Sequence, residues 1–244
     1  MKFIYNNNGI QIKKNKDVFT FNFSNYKYKD SYIKSLFKEF KMLKDEINEK
    51  KNIRIIEIKA HSIETLTELL KIKENKLSYL HLKLLFLQGK KLLTSLKKDN
   101  LGVLNFNIED FIIVNKEHTR RDSKFMFLNQ SKFTPLVNDN INIEHVINKK
   151  DLFLSNELIE IKSLPTTITD KSSMFSLGLI LCHCLNPFDK KEFNSDDLKR
   201  FDNGEDKFNS MIKKHLESIL NSKLYWAILR VLEINPNDRY LIWI

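Results

Sequence analysis

Two adjacent carboxylates, Glu109 and Asp110, stand in the stretch GVLNFNIEDFIIVN, residues 102–115. Such a pair can offer oxygens to a hard cation, and it can equally cap a loop. The other residue types that carry chemistry are dispersed. The histidines, at 61, 81, 118, 145, 183 and 215, form no cluster in sequence. His183 lies between Cys182 and Cys184, without the spacing of metal ligands, and reads as part of a core. The two cysteines would diverge by about 200° around a helix, so they cannot bridge and point to a reducing compartment. Gly9 is the only glycine before Gly89. A glycine-rich phosphate cradle is therefore absent from the first third of the chain.

The elements that must position these residues are bounded by composition. The chain has 244 residues, 42% of them hydrophobic, enough for one large core or two lobes. Lysine plus arginine number 41 against 31 acidic residues, a formal charge of +10 that raises a nucleic-acid or anionic-membrane partner. Nearly all of that excess is lysine, which together with abundant Asn, Ile and Phe is the signature of an A/T-rich coding genome. The opening MKFIYNNNGIQIKKNKD alternates and shows no signal peptide. The longest apolar run is about half of the roughly 20 residues that span a bilayer, so no membrane span and a cytoplasmic location are expected.

Along the chain, KFIY, IQIKK and VFTFNFS predict short antiparallel strands separated by polar turns. Ile33, Leu36, Phe37, Phe40, Leu43 and Ile47 fall at helical spacing and predict an amphipathic helix over 31–48. A strand, NIRIIEIK at 52–59, follows. Ser62 is placed to cap a helix over SIETLTELL. A longer helix carries the stripe Leu82, Leu85, Phe86, Gly89, Leu92, Leu93 and Leu96, with Gly89 marking the close approach of another backbone. Residues 101–130 return to strands around a charged tip, and 131–165 show no sustained period, which predicts a long surface segment. KSSMFSLGLILCHCL, 171–185, is apolar all round, so it must be buried on every side. Asp170 or Ser172 is placed to cap it and Pro187 to stop it. FNSMIKKHLESIL and KLYWAILRVL read as further helices.

The order of these pieces resembles a protein kinase, on four stretches. SSMFSLGLIL is similar to the buried helix motif D-x-W-S-x-G, with Phe175, Ser176, Leu177 and Gly178 matching and Ser173 in the place of the aspartate. FLSNEL is similar to A-P-E, with Asn156 for proline and Glu157 kept. LEINPNDRY is similar to the late motif, with Pro236 and Arg239 kept. GVLNFNIEDFIIVN is similar to the catalytic loop and the strand after it. Together they cover about 100–244. The resemblance implies an α+β, protein kinase-like bilobal fold: a reduced β-rich N-terminal lobe with one helix at 1–60, and a mainly helical lobe at 61–244. It extends to the kinase-like proteins of large DNA viruses, which share the lysine- and asparagine-rich composition, and so to the host cytoplasm.

Phosphoryl transfer needs a phosphate cradle, a lysine, a metal-binding carboxylate and a residue that orients the hydroxyl. By the resemblance the lysine belongs on VFTFNFS, which has none; Lys27 and Lys29 follow it, and Glu39 is the candidate helix partner. In the catalytic loop, Asn105 replaces the aspartate if no gap is allowed, with Asp110 replacing the metal-binding asparagine; a two-residue deletion puts Asn107 there instead. Asn129, in Leu128-Asn129-Gln130, stands for the metal-binding D-F-G aspartate. An amide takes no proton near neutral pH and adds no charge toward Mg²⁺. The resemblance also implies a buried ion pair between Glu157 and Arg239.

The leading expectation is a pseudokinase, a regulatory or scaffolding protein that acts through a viral or host protein partner with little or no phosphoryl transfer. One alternative is an active, divergent viral kinase that phosphorylates Ser/Thr with ATP and Mg²⁺, using Lys27 or Lys29 and Asp110. Another is a basic nucleic-acid-binding protein, whose affinity would fall steeply with salt. No RNA- or DNA-binding motif and no aromatic residues interleaved with arginine accompany the charge.

Overall fold

The computed structural model describes residues 2–7, 9–24, 33, 37–38, 40–118, 120–149, 151–188, 201–242 and 244, with Arg120 and 201–207 described by their backbone alone. The fold is mixed α+β with antiparallel sheets. By contacts the chain forms two compact units, Met1–Leu69 with Glu109–Ser131, and Leu70–Ile108 with Lys132–Ile244. The boundary drawn at residue 60 from the sequence falls inside the first unit, because 109–131 returns to pair with 62–65 there.

The first unit holds a five-stranded antiparallel sheet of β1 (Lys2–Asn7), β2 (Ile10–Asn15), β3 (Val18–Ser24), β4 (Met42–Asn48) and β5 (Ile53–Lys59), ordered β1-β2-β3-β5-β4. Alternation sets its faces. Ile10 and Ile12, then Phe19, Phe21 and Phe23, then Ile56 and Ile58 turn inward and are buried. Ile33 and Phe37 are helical and fully buried. The helix expected over 31–48 does not reach its last turns, since Met42–Asn48 is a strand with every residue exposed. The spacing of Leu43 and Ile47 suits a helix face, but as an edge strand this segment pairs its backbone with β5 instead.

A second, three-stranded antiparallel sheet joins β6 (Ser62–Thr65), β8 (Phe111–Asn115) and β9 (Lys124–Phe127) in the order β6-β8-β9. Ser62 lies in β6 and caps no helix. The helix α1 (Leu66–Ile72) starts one turn later, where Thr65 Oγ1 accepts from the Glu68 N–H at 3.1 Å and Glu68 Oε2 accepts from the Thr65 N–H at 2.9 Å. This reciprocal capping box explains the late start.

The second unit contains α2 (Tyr79–Lys98), the short α3 (Asn156–Ile159), α4 (Ser172–Leu185), α5 (Phe201–His215) and α6 (Lys223–Val231). Its sheet has the order β12-β11-β10-β7, with β7 (Leu101–Val103), β10 (Phe133–Val137), β11 (Asn140–Ile143) and β12 (Thr166–Thr169). Part of 131–165 is therefore a hairpin rather than a structureless span. Asn138 and Asp139 turn it, both at positive φ (52° and 62°), a conformation that Asn and Asp tolerate.

The helix α4 is the centre of this unit. Of its residues only Met174 and His183 are not buried, as a helix apolar on all sides requires. Neither Asp170 nor Ser172 caps it through a side chain; Lys171 is the capping position, Ser173 Oγ donates to the Asp170 carbonyl at 2.7 Å, and Ser172 Oγ bonds Ser155 Oγ at 2.6 Å. Gly89 of α2 admits a side chain, not a backbone: a Cβ there would lie 2.7 Å from Leu177 Cδ2. Gly178 admits Leu232 in the same way, with Cγ 2.7 Å from the position of a Cβ. Cys182 and Cys184 are free and buried, and burial pushes both thiols well above their ordinary pKa.

Candidate functional site

A one-turn 3₁₀ helix, Ile108–Asp110, delivers Asp110 of the first unit to the start of β8, and the end of β9 delivers Asn129 beside it. The Asp110 carbonyl accepts from the Leu128 N–H at 2.9 Å, which ties the two strand ends together. Asp110 is 2% exposed, and its Oδ1 accepts from Asn129 Nδ2 at 2.7 Å. Asn129 Oδ1 accepts from the Ser131 N–H at 3.2 Å and from the Ser131 hydroxyl. A backbone N–H can only donate, so this contact fixes which end of the Asn129 amide is oxygen. The amide hydrogens therefore point at Asp110. Glu109 is exposed while Asp110 is buried, so the adjacent carboxylates diverge.

The inward face of β3, where the resemblance looks for a phosphate-holding lysine, is phenyl. Phe21 meets Phe37 edge-on with ring centroids 5.0 Å apart, and Phe23 meets the same ring at 6.2 Å. All three side chains are buried. On the other face of β3, Thr20 Oγ1 donates to Glu57 Oε1 at 3.3 Å. Lys27, Lys29 and Glu39 lie outside the described residues.

The remaining amides belong to the second unit. The loop after β7 is held by Leu104, whose N–H donates to the Lys132 carbonyl at 3.1 Å, and by Phe106, whose N–H donates to Ser176 Oγ of α4 at 2.8 Å. Asn105 is buried, with Nδ2 3.5 Å from Asp151 Oδ2, and Asn148 Nδ2 donates to the other oxygen of that carboxylate at 3.2 Å. Asn107, with its NH₂ turned to the Phe106 carbonyl at 2.8 Å, accepts from Lys132 Nζ at 3.0 Å. Both asparagines have structural partners, and neither side chain can take a proton from a hydroxyl near neutral pH. Asp151, the carboxylate beside Asn105, was not singled out from the sequence. It lies in a polar loop far along the chain, and no local pattern connects the two.

Glu157 and Arg239 meet in the same unit. Arg239 Nη1 and Nη2 donate to Glu157 Oε1 and Oε2 at 2.6 and 3.0 Å. Its Nε donates to the Glu233 carbonyl, Nη2 also to the Ile234 carbonyl at 2.8 Å, and Nη1 to the Lys171 carbonyl at 3.4 Å. The guanidinium carbon stands 4.7 Å from the centre of the Phe175 ring. Every N–H of this fully buried cation is engaged. A cavity of about 380 Å³ is lined by Leu93, Lys97, Leu101, Asp170, Ser173, Met174 and Leu241 among others, and by none of the asparagines or carboxylates proposed from the sequence for catalysis or metal binding.

No protein-family model matches the chain, and no curated protein matches its sequence. Among the described residues, no helix is long and apolar enough to cross a membrane.

Proposed function

We propose that this chain is a pseudokinase: a protein kinase-like scaffold that works through contacts with protein partners and transfers little or no phosphate. The observation that carries this reading is the orientation of Asn129. A hard cation is gripped by oxygens, and here Asn129 turns its amide N–H toward Asp110 Oδ1 while its own oxygen accepts from Ser131. These residues do not fit Mg²⁺ as they stand. Two further features support the reading. Phe21, Phe23 and Phe37 fill the inward side of β3 with apolar rings. Asn105 and Asn107 bring amides, each with structural partners, to the loop after β7.

Two contacts support the scaffold half of the reading. Ser176 pins the loop to α4, and Arg239 holds Glu157 in a saturated ion pair. Incubation of the purified chain with Mg²⁺, labelled ATP and generic Ser/Thr protein substrates tests the proposal. The expected incorporation is no greater than that of Asp110→Ala. Transfer that Asp110→Ala abolishes would overturn it.

A further inference from the structure

The five-stranded sheet ends on one side at β4 (Met42–Asn48), which pairs with β5 alone among the described residues. All seven of its residues are exposed, the apolar Met42, Leu43 and Ile47 at 42%, 45% and 44%. An edge strand presents a row of unpaired N–H and C=O groups to any strand of suitable pattern. The pattern here is Leu43-Lys44-Asp45-Glu46-Ile47. Turned end to end about Asp45, it lays cation over anion and apolar over apolar.

We infer that β4 is a self-association edge, onto which a second copy of this chain adds its own β4 antiparallel about a two-fold axis through Asp45. Lys44 then faces Glu46 of the second copy, Leu43 faces its Ile47, and symmetry supplies each pair twice. Lys44 and Glu46 already bridge along the strand at 3.1 Å, both side chains about half exposed, so their charges are free to exchange partners across the axis.

The weak point of such a pairing is Asp45 against itself, since like charges directly opposite are destabilising. Arg54 removes that objection. It is 1% exposed and donates through Nε to Asp45 Oδ1 at 2.9 Å and through Nη2 to Oδ2 at 2.5 Å, so the central carboxylate reaches the axis already paired. The register with β5 shifts between Met42 and Lys44, which leaves Leu43 outside that ladder at the margin of the match. The opposite edge, β1 with sequence KFIYNN, has a cation and no acidic residue, so it lacks this self-complementarity.

Light scattering after size exclusion, on the full chain over a concentration series, tests the inference. The wild type is expected to dimerise as concentration rises. Lys44→Glu and Glu46→Lys each place like charges opposite one another twice, and each should weaken the dimer by roughly tenfold or more. Mixing these two variants, or combining them in one chain, restores opposite charges and should restore the dimer. A wild type that stays monomeric throughout overturns the inference, leaving the edge to some other strand. A dimer indifferent to either single reversal, or one not recovered by mixing or by the double variant, overturns it too. An independent check needs no charge reversal: Lys44→Cys mixed with Glu46→Cys should crosslink under mild oxidation far more than either alone, the native cysteines being buried. Equal crosslinking of a single variant with itself overturns the register.

Discussion

Arg239 and Asp110 are both ionisable side chains withdrawn from water, and their surroundings treat them differently. Around Arg239 the neighbours are a carboxylate in bidentate contact, three backbone carbonyls and a ring face. That arrangement preserves a charge. Beside Asp110 stands a neutral amide whose orientation is locked by Ser131. A hydrogen bond from an amide tolerates a carboxylate but makes no second negative group for it to share a cation with. The contrast separates two demands that an enzyme has to meet together. Holding the fold needs strong pairs; doing chemistry needs groups left poised and incompletely satisfied. The saturated ion pair of Arg239 meets the first.

The most severe way to break the contrast is Arg239→Ala. It leaves Glu157, whose side chain is 17% exposed, without its cation. Loss of one member of a buried pair costs about 3 to 5 kcal/mol, because the other charge remains buried. A thermal melt should show a large drop or no cooperative transition. An unchanged melting temperature would mean that this pair does not carry the framework.

Asn129→Asp asks whether the second region can be returned to the pattern of the first. It sets two carboxylates at hydrogen-bonding distance, where Asn129 Nδ2 now lies 2.7 Å from Asp110. Like charges so close oppose each other and push the shared proton's pKa up. A loss of about 1 to 3 kcal/mol at neutral pH is expected, the range for a buried polar group deprived of its partner. Millimolar Mg²⁺ or Mn²⁺ should recover part of it by binding the folded form. The wild type should gain nothing from the same ions. A variant as stable as the wild type, or insensitive to divalent ions, would show that the Asn129 amide is not what sets the character of this site.

How much of this was legible follows from where burial imposes a pattern. The helix Ser172–Leu185 was, because a helix apolar on every side has one solution, a position surrounded by protein. The stripe of Tyr79–Lys98 was as well, since eight of its residues are buried on one face. Met42–Asn48 was not: on an exposed edge nothing disciplines the apolar positions, and Leu43 and Ile47 mimic a helical repeat. The hairpin Phe133–Ile143 escaped because its asparagines hide the alternation, although Asn138-Asp139-Asn140 is a turn signal. The start of α1 escaped because the reciprocal bonds of Thr65 and Glu68 compete with an equally plausible cap three residues earlier. At the site, residue types could be read directly, but not the direction of an amide. Only the Ser131 N–H, contributed by a turn after β9, decides that Asn129 turns its hydrogens toward Asp110.

His183 offers the smallest and sharpest test, because it shows what the second unit does with a cation it cannot pair. Its ring packs against Phe153 and Phe188, and Nδ1 accepts from the Phe188 N–H at 3.1 Å, which leaves the proton on Nε2. Burial, and then the neighbouring His215 ring, push its pKa down to about 4 from the usual 6.5. A lowered histidine pKa means that the unfolded chain binds the proton more readily than the folded one. The resulting stability is present in full above pH 6.5 and is lost as pH falls from there toward about 4. Carboxylates titrate near the lower end of that window, so the informative quantity is a difference between chains. His183→Asn keeps an acceptor that does not titrate. Its urea midpoint should fall less steeply than that of the wild type between pH 6.5 and 4.5, whatever its stability at neutral pH. Parallel pH profiles for the two chains would mean that the ring accepts its charge in place, and that a buried cation in this unit survives without the carboxylate that Arg239 has.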